Sequence, residues 1–380
     1  MNSKILVIED DPSALRFIEY TLQQEGYQVL SAKNGLEGLR KARKEEPDLI
    51  VLDIMLPGID GFEICHRLRA EPETAQLPIL MLSAKAQEID KATGLKMGAD
   101  DYLTKPADPS EIVSRVETLL AQRTASRSKM IAFLGLKGAV GTTTIVVNTA
   151  VALAQRDKRV IVVDLCPYGG KVMEHLGLKP ERTITELLEK SMDAVSRRDL
   201  ESALAVHDSG VRALAIAQPS GGREDISPSD IALLFDRLRE VSDYLLVDLL
   251  FQSSDSGKAA LTKCDLVIIV SDFKAGTLSD VKSIAALLDK LGITPERIST
   301  VVIDRDAIFP EAEISKMKGF VEERSGVSLL GIIPYDTNAS LEPVPGTPVI
   351  LFNPNSPMAW SVRGVAQHII GEKINNKDSS

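Results

Sequence analysis

Residues 49–64 read LIVLDIMLPGIDGFEI, an apolar run that ends in Asp53, passes through Pro57 and Gly58 and enters a segment of mixed polarity. A short run rich in Ile, Leu and Val indicates a buried strand, and the Pro-Gly pair indicates a turn before the next helix. Similar apolar runs recur through the first third of the chain, separated by amphipathic segments. The strands that these runs predict are Lys4–Ile8, Gln28–Ala32, Leu49–Leu52, Ile79–Leu82 and Tyr102–Thr104.

Polar residues stand at the ends of these predicted strands: Glu9, Asp10, Asp53, Ser83 and Lys105. Five βα units in about 120 residues predict a doubly wound parallel sheet of flavodoxin-like size, in which such strand ends form the site. Carboxylates gathered there repel one another unless a divalent cation lies between them, and oxygen ligands that leave room for water suit Mg²⁺. A carboxylate can also attack phosphorus to give an aspartyl phosphate, with Lys105 and the metal neutralising the charge and Ser83 donating a hydrogen bond.

Each of these residues also has an ordinary structural interpretation. An acidic residue before a helix, such as Asp10, is often only a helix cap. Asp53, which precedes Pro57 and Gly58, can be a turn residue. Five such residues at matched strand ends favour the phosphorylation site over separate structural roles.

The segments ILVIEDD, DLIVLDIMLPGIDGFE, LMLSAK and GADDYLTKP resemble those of bacterial response-regulator receiver domains, over residues 1–121. The resemblance implies that Asp53 is the phosphoacceptor and that Lys105 binds the phosphoryl group. It also implies that Ser83 and Tyr102 form a switch pair. The metal ligands that it implies are Glu9, Asp10, Asp53 and the Met55 carbonyl.

The same resemblance implies partners for this part of the chain. A cognate histidine kinase would supply the phosphoryl group. The GADDY segment with Asp100 and Asp101, together with Arg115, resembles the face through which some receiver domains dimerise. The alternative for these three side chains is that they meet only solvent, as surface Asp and Arg usually do.

A second strand, loop and helix begins at Met130 with the sequence MIAFLGLKGAVGTTTIVVNTAVALAQ. A loop of small residues that enters a helix offers backbone N–H groups and a positive dipole end to phosphate. The strict P-loop spacing, Gly-x-x-x-x-Gly-Lys-[Ser/Thr], is not met. Leu136 stands at the first glycine and Thr142 at the lysine, whereas Gly141 and Thr143 fit.

The loop KGAVGTTT nevertheless resembles the deviant loop KGGVGKTT of the MinD/ParA-type ATPases, and the resemblance covers residues 129–370. It implies that Lys137 reaches the phosphates of a partner subunit in a homodimer. VIVVDLCP and YLLVDLLF resemble the two metal-side strands, which places Asp164 and Asp248 near Mg²⁺ with the Thr143 hydroxyl. VVIDRDA and GIIPYDTNA resemble the adenine-side elements. The ATP-contacting residues implied are Lys137, Gly138, Ala139, Val140, Gly141, Thr142, Thr143, Thr144, Asp164, Asp248, Arg305, Pro334 and Asp336.

Three departures from that family pattern fall on functional positions. Thr142 removes a phosphate-facing charge, Cys166 replaces an aspartate tied to hydrolysis, and Asp304 replaces the asparagine that reads adenine. Losing one preorganised charge contact costs several kcal/mol of barrier, so we expect ATP binding with weak or no hydrolysis. The ordinary interpretations are a solvated loop lysine for Lys137 and a small buried hydrophobe for Cys166, which we prefer to a redox role.

Composition limits the location and the binding partners. The formal net charge is −10, which argues against broad binding of nucleic acid but leaves room for a local basic patch. We see no apolar run of membrane-spanning length, no signal peptide and no cysteine framework, and we expect a cytoplasmic protein, placed at a cell pole through partners. The expected divisions are a receiver over 1–121, a linker over 122–129, a nucleotide-binding domain over 130–372 and a polar tail over 373–380.

A receiver followed by a MinD/ParA-like domain with GTTT in its loop resembles the TadZ/CpaE group of pilus-assembly proteins. That resemblance implies a localisation or scaffold factor for Flp/Tad-type pili, with pilus-assembly and secretion proteins as partners. An active ParA/MinD-like ATPase that positions DNA or chemosensory cargo is the alternative. A transcriptional regulator is a third reading, but we find no helix-turn-helix-sized module after residue 122.

Overall fold

The structure, a computed structural model, describes residues 3–83, 98–138, 140–166, 170–188, 195–215, 226–251, 255–273, 277–304, 314–334 and 346–371. The chain divides into two compact units, Met1–Ser126 and Arg127–Ser380, and each is described by itself. Three of the expected ATP-contacting residues, Ala139, Arg305 and Asp336, lie outside the described residues, as does the polar tail.

The first unit is a five-stranded parallel sheet with the strand order β2-β1-β3-β4-β5. Its strands are β1 (Lys4–Ile8), β2 (Gln28–Ala32), β3 (Leu49–Asp53), β4 (Ile79–Ser83) and β5 (Asp101–Thr104). Its described helices are α1 (Pro12–Gln24), α2 (Gly35–Lys44), α3 (Gly61–Ala70) and α4 (Pro109–Arg127). The predicted bounds of the first two strands are confirmed, and those of the other three differ by one residue at one end.

Burial explains why these segments form strands. Every residue of β3 and β4 is buried, as expected for central strands covered by helices on both faces. The alternating side chains of the sheet enter two separate apolar clusters, one that includes Ile8 and Ile64 and one that includes Val7 and Val116. The carboxyl ends of the strands are thereby held at one rigid edge.

The segment that we interpreted as the linker, residues 122–129, contains the boundary between the two units and is helical for most of its length. Helix α4 continues through residues 122–127, and the next strand begins at Lys129, one residue earlier than predicted. The Arg123 guanidinium donates hydrogen bonds to the backbone carbonyls of Pro47 and Asp48 and pairs with the Asp48 carboxylate. These polar contacts hold the last turns of the helix, where apolar periodicity has already ended.

The second unit is built on an eight-stranded sheet with the order β13-β12-β11-β6-β10-β7-β9-β8, in which only β8 is antiparallel to its described neighbour. Its strands are β6 (Lys129–Gly135), β7 (Val160–Asp164), β8 (Ala205–Val206), β9 (Arg212–Ala215), β10 (Tyr244–Leu250), β11 (Leu266–Asp272), β12 (Ile298–Asp304) and β13 (Ser328–Pro334). Its described helices are α5 (Thr142–Ala154), α6 (Val172–His175), α7 (Ile184–Leu188), α8 (Arg197–Ala203), α9 (Pro228–Arg239), α10 (Asp255–Lys263), α11 (Thr277–Lys290), α12 (Ile314–Ser325), α13 (Val349–Phe352) and α14 (Pro357–Ile370).

Helix α5 is the most deeply buried helix described in this unit, with every residue from Ile145 to Leu153 buried. A helix that is apolar all round must be covered on all sides. Here α5 packs against β7 and β10 on one side and against α14 on the other. The side chain of Asn148 is satisfied within this packing, because it donates to the Thr144 carbonyl and accepts from the Ile350 N–H. The start of α5 is therefore fixed relative to the sheet edge where β6 ends.

Candidate functional site

The acidic residues of the first unit meet at the carboxyl edge of its sheet. Glu9 and Asp53 are 1% and 4% exposed, whereas Asp10 is open to solvent. Carboxylate oxygens of these three residues lie within 4.8 Å of one another. The Lys105 Nζ lies 2.5 Å from Glu9 Oε2 and 3.1 Å from Asp53 Oδ2. The structure thus brings together four of the residues that the sequence singled out.

The electrostatics of this pocket follow from its burial. Burial is the largest cause that raises the pKa of Glu9, and the charge of Asp53 adds to it, while the hydrogen bond from Lys105 opposes both. Burial by itself would lower the pKa of Lys105, but the hydrogen bond to Glu9 and the charge of Asp53 outweigh it and raise the value. Lys105 is therefore held as a cation. Two buried carboxylates and one exposed carboxylate are a set of hard oxygen donors that fits Mg²⁺.

Local backbone structure aims these carboxylates. Asp11, which follows Glu9 and Asp10, does not point into the pocket. Its carboxylate caps α1 by accepting hydrogen bonds from the N–H groups of Ser13 and Ala14. Asp53 is turned by its own loop, since the Met55 N–H lies 3.3 Å from Asp53 Oδ1. Met55 follows Asp53 by two residues, and its side chain is exposed. A metal role for its carbonyl stays a prediction.

Gly61, at the start of α3, lets the loop after β3 fold back on the strand. A Cβ at this position would lie 2.4 Å from the Asp53 carbonyl oxygen and 2.8 Å from the Ile54 Cα. Both are backbone atoms of the segment that carries the phosphoacceptor candidate, so neither can move aside alone. No other residue type fits here without displacing the end of β3.

We expect Gly61→Ala to destabilise the first unit by about 1–3 kcal/mol, the usual cost of forcing an extra carbon into a packed site. Thermal unfolding of the full chain, followed by a probe of the first unit, measures the change. Gly319→Ala is the matched control, because a Cβ at that exposed helical position meets no atom within 4 Å. Equal unfolding temperatures for the two variants would contradict the close approach at Gly61.

The predicted switch pair lies on the two neighbouring strands β4 and β5. Ser83 ends β4 and is buried, and Tyr102 of β5 is buried within one of the apolar clusters. The predicted dimerisation residues already have partners in the same chain. Asp100 accepts from Arg69 at 2.7 Å and from the Ile79 N–H at 2.7 Å, and Asp101 pairs with Arg115 at 3.1 Å. The switch and dimer roles stay predictions.

In the second unit, the loop between β6 and α5 stands at the middle of the carboxyl edge. Gly141 precedes α5 with φ of 103°, a left-handed conformation that glycine adopts without strain. Gly135 allows the first turn of α5 to approach the strand, because a Cβ there would lie 2.4 Å from the Thr142 hydroxyl. Thr142 is consequently buried against the strand and offers no charge to the loop. No described side chain caps this helix, so its first N–H groups suit an anion.

The metal-side residues of the second unit lie side by side. Asp164 ends β7, Asp248 lies in β10, and the two are direct neighbours in the register of the sheet. The Thr143 hydroxyl donates to Asp248 Oδ2 at 2.6 Å, whereas the buried Asp248 Oδ1 has no hydrogen-bond partner among the described residues. Burial, with the charge of Asp164 adding to it, raises the pKa of Asp248 to about 7. A fully buried carboxylate with one unsatisfied oxygen beside a second carboxylate fits a divalent cation.

The sequence led us to expect that Cys166 is a small buried hydrophobe, and the structure corrects this. Cys166 is half-buried and lies among polar groups, because it follows the carboxyl end of β7 and leaves the sheet core. Its N–H donates to Asp164 Oδ1 at 3.1 Å, and its Sγ lies 4.0 Å from the Asp248 carbonyl oxygen. Burial and the charges of Asp248 and Asp164 raise the pKa of the thiol.

Lys137 is not simply a solvated lysine of the loop. Its side chain is 51% exposed, and its Nζ lies 3.0 Å from Oδ2 of the buried Asp272. Asp272 is a residue that our interpretation of the sequence missed, although it ends the apolar run of β11 just as Asp164 ends that of β7. The other omission is His175, whose Nε2 lies 3.3 Å from the Thr144 hydroxyl. Its position on the short helix α6 gave no periodic signal.

The adenine-side candidates Asp304 and Pro334 lie on β12 and β13, the two strands beyond β11 in the sheet. Asp304 is buried at the end of β12, and Pro334 ends β13 directly opposite it in the register. They lie on the opposite side of β6 from Asp164, as expected for the two ends of a nucleotide. Among the residues that the structure describes, no helix is both long and apolar enough to span a bilayer.

Comparison with known proteins agrees with both units. Residues 5–117 match the response regulator receiver domain family. The alkaline phosphatase synthesis transcriptional regulatory protein PhoP of Bacillus subtilis is 51% identical over 120 residues, which are 32% of this chain and 49% of that protein. The chain spans about half the length of the curated relatives it matches. A receiver domain implies regulation by phosphorylation.

Residues 131–349 match the CobQ/CobB/MinD/ParA nucleotide binding domain family, more than half of the chain. A ParA family ATPase from Chlorobium tepidum has a TM-score of 0.55 at 21% identity, covering 64% of this chain and 98% of its own. The MinC:MinD cell division protein complex of Aquifex aeolicus gives 0.53 at 20% identity, covering 66% of this chain and 99% of the matched chain. At such identities the likeness shows the fold alone. The chain belongs to the CobQ/CobB/MinD/ParA nucleotide-binding family, and it carries a response regulator receiver domain ahead of that domain.

Proposed function

We propose that this protein is a phosphorylation-responsive, nucleotide-binding localisation or scaffold factor of the TadZ/CpaE type, which serves the assembly of Flp/Tad-type pili. The observation that carries the proposal is the contrast between its two sites. The acidic pocket of the receiver has every group needed for phosphoryl transfer, whereas the nucleotide loop has buried, uncharged Thr142 where a phosphate-facing lysine is expected. Such a chain receives a signal and binds a nucleotide without rapid turnover.

The receiver chemistry rests on protein groups of the pocket, together with a bound Mg²⁺ and a phosphodonor. An Asp53 carboxylate oxygen attacks the phosphorus of the donor, the bond from phosphorus to the leaving group breaks, and the leaving group keeps the electron pair. Lys105, already 3.1 Å from Asp53, lies where it can neutralise the oxygens of the transferred group. Mg²⁺ held by Glu9, Asp10 and Asp53 would supply the remaining positive charge. The product is an aspartyl phosphate on Asp53.

Nucleotide binding rests on the loop and on the metal-side cluster. The backbone N–H groups at the start of α5 suit the phosphates, and Thr143, Asp164 and Asp248 would hold Mg²⁺. Asp164 and Asp248 provide two of the carboxylates expected at this site. Thr142 lacks the positive charge of the lysine expected at its position, and Cys166 lacks the carboxylate of the aspartate expected at its position. We therefore infer that ATP stays bound for long periods and acts as a link between two copies of the chain.

Lys137 is the residue that would make that link. In the isolated chain its ammonium, which is half-exposed, is paired with the buried carboxylate of Asp272. A partner's phosphates carry more charge than one carboxylate and would draw Lys137 away from Asp272. The ion pair thus holds Lys137 near the loop and leaves it able to move to the phosphates of a partner.

We expect Lys137→Ala to leave ATP affinity within about threefold of wild type and to abolish the ATP-dependent dimer, because Lys137 would contact the phosphates bound to the partner and not those bound to its own chain. Calorimetry measures the affinity, and sedimentation with Mg²⁺ and a non-hydrolysable ATP analogue measures the dimer. Lys171→Ala is the matched control, since this lysine is also exposed and also lies near an acidic residue, Glu174. A dimer that survives Lys137→Ala would refute the link.

The localisation role is tested in the cell. Fluorescent fusions of the wild type, of Asp53→Asn and of Lys137→Ala should differ in placement, and loss of the gene should abolish pili. Secretion ATPase and prepilin genes beside it would support the pilus role. Pili that form normally without the protein would overturn it while leaving the two binding sites untouched.

An active ATPase that positions DNA or chemosensory cargo is the second candidate, favoured by the family membership and by the retained carboxylates of Asp164 and Asp248. It requires steady turnover by the wild-type chain. It also predicts centromere-binding or chemosensory partners among the neighbouring genes. Turnover equal to that of ordinary family members would decide for this candidate.

A further inference from the structure

Three potential metal ligands of different chemistry meet at the ends of β7 and β10. Asp164, Cys166 and Asp248 each offer one atom, and these atoms all lie within 4.8 Å of one another. The two carboxylates are fixed by the sheet, because Asp164 and Asp248 are paired in its register. Cys166 is fixed by the hydrogen bond from its own N–H to Asp164. The three groups therefore form one built cluster, which we call the Asp-Cys-Asp cluster.

One carboxylate oxygen of the cluster has no hydrogen-bond partner among the described residues. Asp248 is fully buried, and its Oδ1 has no hydrogen-bond partner among the described residues. Its other oxygen accepts from the Thr143 hydroxyl, which carries no charge. The nearby Lys137 pairs with Asp272 instead. A buried carboxylate oxygen without a partner is costly, and a divalent cation between Asp248 and Asp164 would remove that cost.

The sulfur decides which cation. A site for Mg²⁺ alone gains nothing from a thiol, because Mg²⁺ prefers oxygen ligands and octahedral geometry. Thiolate and carboxylate together, three protein ligands with a fourth position open, are a ligand set that Zn²⁺ takes. Cys166 has no competing role in a disulfide, since Cys65 and Cys264 are free and are buried elsewhere in the fold.

We propose that the Asp-Cys-Asp cluster binds a thiophilic divalent cation, Zn²⁺ being the natural one, when no nucleotide is bound. The metal–sulfur bond forms as the Cys166 thiol gives its proton to the buffer, and the carboxylates of Asp164 and Asp248 complete the protein ligands. The inference concerns the same site as the proposed ATP binding and deepens it. Zn²⁺ and Mg²⁺-nucleotide would then compete for Asp164 and Asp248.

The test uses Co²⁺ as a spectroscopic probe on the full reduced chain without nucleotide or Mg²⁺, since Co²⁺ in the oxygen-only pocket of the receiver has no thiolate ligand and gives no such band. We expect a saturable thiolate-to-cobalt charge-transfer band, removed by added Zn²⁺. Cys166→Ser should abolish the band and weaken Zn²⁺ binding by about 100-fold or more, as loss of a direct ligand should exceed the effect of losing an outer-shell partner. Cys65→Ser, a change in the other unit, should retain the band.

The outcomes separate this inference from the proposed function. No charge-transfer band in the wild type, or a band that survives Cys166→Ser, overturns the metal assignment. Mg²⁺-ATP binding is measured apart by calorimetry in metal-chelated buffer, so it can succeed when the cobalt test fails. If Zn²⁺ binds and Mg²⁺-ATP does not, the metal assignment stands and the nucleotide proposal falls.

Discussion

Asp53→Asn should abolish phosphoryl uptake by the full chain. In Mg²⁺ with a small-molecule phosphodonor, the wild type should gain the mass of one phosphoryl group, and the variant should gain none. The side chain keeps its shape, but a neutral amide is not the nucleophile that a carboxylate is. Lys105 also loses one of its two charged partners, while its contact of 2.5 Å with Glu9 remains. The effect is therefore on chemistry and not on folding.

Intact-mass analysis measures the uptake, and Asp60→Asn is the matched control. Asp60 caps α3 by accepting from the Glu63 N–H, a role that Asn fills equally well, so the control should be phosphorylated like the wild type. An unmodified wild-type chain after treatment with an active donor would end the idea. So would an equal mass gain in Asp53→Asn.

The second large effect concerns ATP turnover. Thr142→Lys together with Cys166→Asp should raise turnover by about 10²–10³, the typical worth of a preorganised contact to a developing charge. The structure supplies the reason, since Thr142 is buried against Gly135 and Cys166 stands in the metal-side cluster where a carboxylate would lie. Cys166→Asp restores a carboxylate in the metal-side cluster, and Thr142→Lys restores a positive charge at the first residue of α5.

Phosphate release under saturating Mg²⁺-ATP is the measurement. Thr142→Gln with Cys166→Asp is the control, because Gln supplies length without charge and should leave turnover slow. The idea fails if the wild type already turns over like ordinary members of its family. It fails equally if the Gln and Lys versions are equally fast, since charge would then not be the missing element.

Both folds could be predicted from the sequence because most of the parallel strands are compact apolar runs, and several of them end in a polar residue. That signal located Asp53, whereas Asp164 and Asp248 were found through the resemblance of their segments to the family pattern. The helical structure of residues 122–127 could not be predicted, because the polar contacts of Arg123 extend α4 there without any hydrophobic periodicity. Asp272 could have been found by the strand-end rule, whereas the contact between His175 and Thr144 depends on tertiary packing alone.

The prediction that Cys166 is a small buried hydrophobe was wrong because composition does not show where a strand ends relative to its neighbours. Two residues earlier, a cysteine would have been inside the sheet. At its actual place it leaves the core and joins the carboxylates, as the register of β7 and β10 requires. The local hydrophobic pattern predicts the helices and strands, but the surroundings of a residue at a strand end depend on the register of the neighbouring strands.

The short strand β8 has a consequence for how copies of this chain can meet. It runs against the direction of β9 and contributes only Ala205 and Val206 to that border of the sheet. Two residues offer an incoming strand few main-chain hydrogen bonds, and such truncated borders are a known protection against polymerisation. A border this short offers a second copy little backbone to pair with, so strand-to-strand growth of the sheet is disfavoured on this side.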